Sequence, residues 1–135
     1  MRLVVVALLI AAPVLAQSPT DERTALLAAT RAVIADDDHV TALSFDNATH
    51  SVAIAEAIGA RITGDGVLHV APKEEPRVSA LVRVLPPKLR GDSAFVHVLT
   101  FTTIQGRPFM SGTLMTLVRR NGAWAVSRYE LTGIS

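Results

Sequence analysis

The chain has 135 residues, half of them apolar, with 13 bases against 12 acids and no cysteine. So even a balance, with 4% aromatic residues, argues against a nucleic-acid surface built on dense charge and stacking rings. The lack of cysteine excludes a disulfide, thiol catalysis, a thiolate zinc site and an acylated lipoprotein cysteine.

Met1–Ala16 has the build of a secretory signal peptide. Arg2 is the positive start, Leu3–Ala12 is an unbroken apolar run, and Val14-Leu15-Ala16 precedes an expected cut at Gln17. The run is short for a membrane helix and no second one follows, so no membrane span is expected after cleavage. An uncleaved anchor is the other reading. Export without disulfides suits a bacterial periplasmic or secreted protein, because small eukaryotic secreted domains are usually stapled. Residues 17–135 are then expected to form a single domain, long enough to bury a core unaided.

Charge divides along the chain. Gln17–Glu75 holds ten acids against four bases, and Pro76–Ser135 holds eight bases against two acids. One reading is an acidic helical layer packed beside a basic sheet, with ion pairs at the seam. The other is a basic sheet surface for an anionic partner.

Ser18-Pro19-Thr20-Asp21 starts a helix: Ser18 caps, Pro19 suits the first helical position, and Asp21 completes a capping box. Leu26, Ala29 and Val33 recur at helical spacing, with Leu27 and Ile34 beside them, to about Ala35. Asp36-Asp37-Asp38-His39 ends it, since acids at a helix C-terminus oppose its dipole. That cluster also offers oxygen and imidazole ligands, but it fits no EF-hand loop. A solvated helix end is the preferred reading, and neither a metal nor any other cofactor is expected.

Val40–Phe45 reads as a short strand and Asp46–Thr49 as a turn. Ser51–Ala60 reads as a second helix with Val52, Ala55, Ile58 and Ile62 on one side. Gly64-Asp65-Gly66 marks a turn, Val67–Ala71 a short strand, and Pro72–Pro76 a polar connector.

Four runs follow: Val78–Leu85, Ser93–Thr103, Met110–Arg120 and Ala123–Leu131. Turn residues separate them, ending with Asn121-Gly122, the pair that best tolerates the positive φ of a type I′ hairpin turn. That turn sets Arg120 against Ala123, Arg119 against Trp124, Leu117 against Val126, Met115 against Arg128 and Leu114 against Tyr129. Alternation then puts Trp124, Val126, Leu117 and Met115 on one face, and Val118, Leu114, Ala125, Tyr129 and Leu131 on the other. In Ser93–Thr103, Ala94, Val96 and Val98 face one way; Phe95, His97, Leu99 and Phe101 face the other. Both faces are apolar, so helices are expected on one and at least partial cover on the other. The fold class is α+β, with N-terminal helices on one face of a curved antiparallel sheet of four or more strands.

The closing segment Leu117–Val126, with Arg119-Arg120, Asn121-Gly122 and then Trp124, resembles the final hairpin of the nuclear-transport-factor-2-like superfamily, within the cystatin-like grouping. Gly91–Val98 looks like the strand opening that often precedes it. The resemblance covers about the last 55 residues. It implies three N-terminal helices wrapped into a cone, of which the sequence offers two. The superfamily holds isomerases, cyclases, dehydratases and many non-catalytic domains, and a fold alone does not choose among them. Its isomerases use an Asp base with an acid and a Tyr in an apolar pocket. The meander's acids, Asp92 and Glu130, match no such set, and the cystatin inhibitor motif is absent.

No catalytic residue is assigned. Four residues are candidates for ligand binding. His97 lies mid-strand among Phe95, Leu99 and Phe101, as a general base in a pocket or a histidine satisfied by a carbonyl. Arg128 would hold an anion or pair with an acid. Tyr129 would offer its hydroxyl, or simply be half-buried. Trp124 reads chiefly as packing. The expected function is an exported non-catalytic domain that binds a small ligand, an envelope protein or a second copy of itself through the outer sheet face. The alternative is a cofactor-free pocket enzyme of isomerase or dehydratase type.

Overall fold

The computed structural model describes residues 18–37, 39–70 and 78–134. The leader, Asp38, the whole Pro72–Pro76 connector and Ser135 lie outside the described residues. Among the described residues, two helices and eight strands form an α+β fold on an open, mixed sheet.

Helix α1 is Pro19–Asp36. Ser18 is its N-cap, accepting from the Asp21 amide at 3.4 Å, and Pro19 occupies the first turn. Strand β1, Val40–Phe45, follows. Helix α2, Ala48–Ile58, starts earlier than its apolar pattern suggests, because Asn47 caps it by accepting from the Thr49 and His50 amides. Gly59 ends it at φ 70°, a left-handed turn that favours glycine. The earlier start rotates the buried stripe onto His50, Ser51, Ile54 and Ala55. Val52, expected to pack, is half exposed instead.

Strands β2 (Arg61–Ile62) and β3 (Leu68–His69) are short. Ile62, expected on the helix, belongs to β2. The meander follows as β4 (Val78–Val84), β5 (Lys88–Arg90), β6 (Ser93–Ile104), β7 (Arg107–Arg120) and β8 (Ala123–Ile134). Pro86-Pro87 separates β4 from β5, and both pair with β6. Proline offers no ladder donor, so the strand is split there.

The sheet order is β2-β3-β1-β4-β6-β7-β8, with β5 also beside β6. The sheet is open and uncurled where the sequence suggests curvature. It is mixed rather than wholly antiparallel, since β1 runs parallel to β4. A parallel pair needs a crossover, and α2 with β2 and β3 lies between the two strands in sequence.

The core lies between the helices and one sheet face. Leu26 and Ala29 of α1 and Ile54 of α2 cluster with Leu43, Val82, Val96, Met115 and Leu117. Burying each large apolar side chain contributes about 1.5–3 kcal/mol. Ala94, Val96 and Val98 face the helices, as alternation predicts.

The last hairpin keeps the predicted register from Arg120–Ala123 to Leu117–Val126 and then departs from it. Arg128 pairs with Thr116 and Tyr129 with Met115, not Arg128 with Met115 and Tyr129 with Leu114. The cause is a β-bulge at Ser127, whose hydroxyl donates to the Thr116 carbonyl at 3.1 Å. An extra residue in one strand exchanges the faces of all that follow. A second bulge lies at Thr132, between the Gly112–Gly133 and Thr113–Leu131 pairs.

Candidate functional site

The four sequence candidates divide between the two sheet faces. Trp124 and Tyr129 lie on the helix side, because the Ser127 bulge brings Tyr129 onto the face of Met115. His97 and Arg128 lie on the outer side, aligned with Leu114 and Thr116. The four do not form one site.

On the helix side, Trp124 Nε1 donates to Thr24 Oγ1 at 3.1 Å. The Arg119 guanidinium stands 4.8 Å from the indole centroid. It also pairs with Asp21 at 3.0 Å and with Asp92 at 3.5 Å. These contacts fasten the first turn of α1 to the β7–β8 hairpin, so Trp124 is a packing residue. The Arg119–Asp21 pair joins the acidic helix to the basic sheet, as one reading of the charge division expects.

Tyr129 Oη donates to Asp36 Oδ2 at 2.9 Å, joining β8 to the C-terminal end of α1. Desolvation, then this hydrogen bond and the Asp36 charge, raise the phenol above its ordinary value. A small cavity of about 180 Å³ opens beside the pair, lined by Val33, Val98, Thr100, Thr113 and Met115. Asp36 was legible only as a helix end, because the contact spans 93 residues of sequence.

His50 stands out only in the structure. It is 3% exposed, with Nε2 3.4 Å from Glu22 Oε2. Its Nδ1 is buried without a hydrogen-bond partner among the described residues. A cavity of about 460 Å³ adjoins it, between Glu22 and Leu26 of α1, the start of α2, and Pro86-Pro87. The histidine was visible only as one of four scattered ones, and its burial follows from the Asn47 cap.

Asp37 Oδ1 accepts from the His39 amide at 2.9 Å, and Asp36 is engaged by Tyr129. Among the described residues, no group of three or more His, Asp or Glu is placed to hold a metal. No described helix is long and apolar enough to cross a membrane.

The outer sheet face carries an uncovered apolar display, and Ile104, Phe109 and Leu131 are exposed at the far end of the helix-side face. Phe101 pairs with Leu81 on one side and Met110 on the other, and each is about 40% exposed. Phe95, Leu99 and Leu114 lie on the same face, half-buried against their neighbours. Neither helix covers them, since α1 and α2 pack against the opposite face. His97 lies among them, with Nε2 2.9 Å from Thr132 Oγ1. The chain matches no protein-family model, no curated protein and no solved structure.

Proposed function

We propose that the chain is an exported, non-catalytic binding domain that engages a protein partner through the outer face of β4, β6 and β7. The observation that carries this reading is the contiguous row Leu81, Phe101, Met110, open to solvent on the sheet face opposite the helices. Exposed apolar patches of several hundred Å² on soluble domains commonly mark interaction surfaces. Export rests on the leader-like Met1–Ala16 alone. Kinship with the nuclear-transport-factor-2-like superfamily belongs to the same proposal, supported by the Asn121-Gly122 hairpin and its Trp124.

The test combines two measurements on the protein. The first is binding of an environment-sensitive apolar dye. The second is mass in solution at low and high salt. Leu81→Ser with Phe101→Ser is expected to remove most dye binding, or to dissolve a dimer if a second copy occupies the face. Dye binding and mass that both ignore this double substitution would refute the reading.

A second reading has one specific support. It is supported by the Tyr129–Asp36 hydrogen bond beside a cavity, a phenol and a carboxyl of the kinds that a pocket enzyme of isomerase or dehydratase type would use. Against it, the cavity of about 180 Å³ is small beside ligand pockets of about 300–1,000 Å³. Turnover of a cyclic enone or hydroxy-thioester probe, lost in Tyr129→Phe, would favour it.

A further inference from the structure

The strand registers fix where each outer-face residue stands. Phe95, Leu99 and Phe101 of β6 lie beside Met110, Leu114 and Val118 of β7. They form an apolar stripe two strands wide. Strands lie about 4.8 Å apart, so the stripe is about 10 Å across, close to the 10–12 Å diameter of an α-helix. From Phe95 to Phe101 it runs about 20 Å, or roughly 13 helical residues.

Cations flank the stripe on both sides. Lys88 and Arg90 of β5 pair with Phe95 and Ser93, so their exposed side chains border it on one side. Arg128 of β8 pairs with Thr116 and borders it on the other, and Arg120 lies at its end. None of these four has an ion pair among the described residues. Arg83 lies on the same face, partly neutralised by Asp46. Glu130 pairs with Leu114 of the stripe and so sets one acid beside Arg128 on that border. His97 interrupts the stripe, but its Nε2 is occupied by Thr132. The acids Asp21, Glu22, Asp36 and Glu56 ride on the two helices at the opposite face.

From this arrangement we infer that the outer face accepts an acidic amphipathic helix of a partner protein. Its apolar side lies along β6 and β7, and its flanking acids meet Lys88 and Arg90 on one side and Arg128 on the other. This rests on the reading of the outer face as a binding surface. A second copy would set these cations against their own equivalents, which is repulsive. An anionic bilayer fits less well, because the cations stand beside the apolar stripe, in the plane of the sheet, and not above an apolar tip. Edge-to-edge pairing is also opposed, since edge strand β8 carries bulges at Ser127 and Thr132.

The experiment titrates the protein against two labelled 18-residue peptides. Both have leucine at helical spacing; one has flanking glutamates, the other lysines. The glutamate peptide is expected to bind with an increase in helical signal, and to weaken about tenfold or more between 50 and 500 mM NaCl. Lys88→Glu with Arg128→Glu, both exposed and checked for native fold by circular dichroism, is expected to reverse the preference. Equal binding of the two peptides, or none at 200 µM (about 5 kcal/mol), would overturn the inference. So would a salt-resistant dimer, or stronger capture by vesicles containing phosphatidylglycerol that the charge reversal leaves intact. Phe101→Asp distinguishes binding by the apolar face from selection by charge. If it abolishes binding while charge reversal does not, the face binds but charge does not select. If it changes nothing, the outer-face reading itself fails.

Discussion

His97 and Thr132 meet across Gly112: Nε2 and Oγ1 are 2.9 Å apart, spanning from β6 to β8 over the strand between them. A Cβ on Gly112 would stand 2.5 Å from Thr132 Oγ1 and 3.2 Å from His97 Nε2. The glycine therefore makes the contact possible, and the bulge at Thr132 supplies its other half.

Gly112→Ala is expected to destabilise the fold by about 1–3 kcal/mol through overpacking. Thr132→Ala alone should cost about 1 kcal/mol, the usual net value of one hydrogen bond. The double variant should be less destabilised than the sum of the two, because the clash and the hydroxyl are removed together. Urea denaturation of the four proteins checks the coupling, and strict additivity contradicts it.

Tyr129 gives a pH prediction. Its phenol pKa is raised above the ordinary tyrosine value of about 10, chiefly by desolvation and then by the bond to Asp36. The folded state therefore holds this proton more tightly than the unfolded chain does. The contribution is fully present below pH 10 and is lost as pH rises through the folded-state value. Since Tyr129 is the only tyrosine, phenolate absorbance titrates it directly. A midpoint above 10 is expected in the native protein, returning toward 10 in Asp36→Ala.

Arg119 ties α1 to the last hairpin through Asp21, Asp92 and the Trp124 ring. Arg119→Ala is expected to cost about 1–2 kcal/mol, more than a typical surface pair, since an ion pair and a cation–π contact are lost together. Arg119→Lys should recover only part of this, because a lysine stacks and pairs less well. Thermal unfolding of the two variants decides it; equal stability of Arg119→Ala and the parent would contradict the tether.

Two tight turns give a fourth prediction. Asn121 and Gly122 have φ of 53° and 79°, as Asn-Gly predicts, and Gln105 and Gly106 adopt the same shape at 50° and 79°. Glutamine is poorly suited to positive φ. Gln105→Asn is expected to stabilise by about 0.5–1 kcal/mol, and Asn121→Val to destabilise by about 1–2 kcal/mol. Denaturant midpoints of the pair measure both signs.

What was legible in the sequence was local. Asn121-Gly122 gave the hairpin and its register as far as Leu117–Val126, and Ser18-Pro19 gave the start of α1. The alternation in β6 separated its two faces correctly. What was hidden depended on distant contacts. The bulge at Ser127 hangs on one hydroxyl meeting the Thr116 carbonyl, and it moved Tyr129 to the other face. The parallel pairing of β1 with β4 joins residues about 40 apart and leaves no periodic trace. The charge division anticipated the Arg119–Asp21 pair between helix and sheet, although not which bases would remain without one.

Hydroxyl-radical footprinting of the methionines in the free protein reports directly on whether the outer face is open. Met110 lies on the proposed binding face at 38% exposure, and Met115 is buried against the helices at 1%. The account predicts rapid oxidation of Met110, little of Met115, and protection of Met110 when the glutamate peptide is bound. Met110 as protected as Met115 in a free monomer would mean that the outer face is already covered, and the binding surface proposed here would not exist.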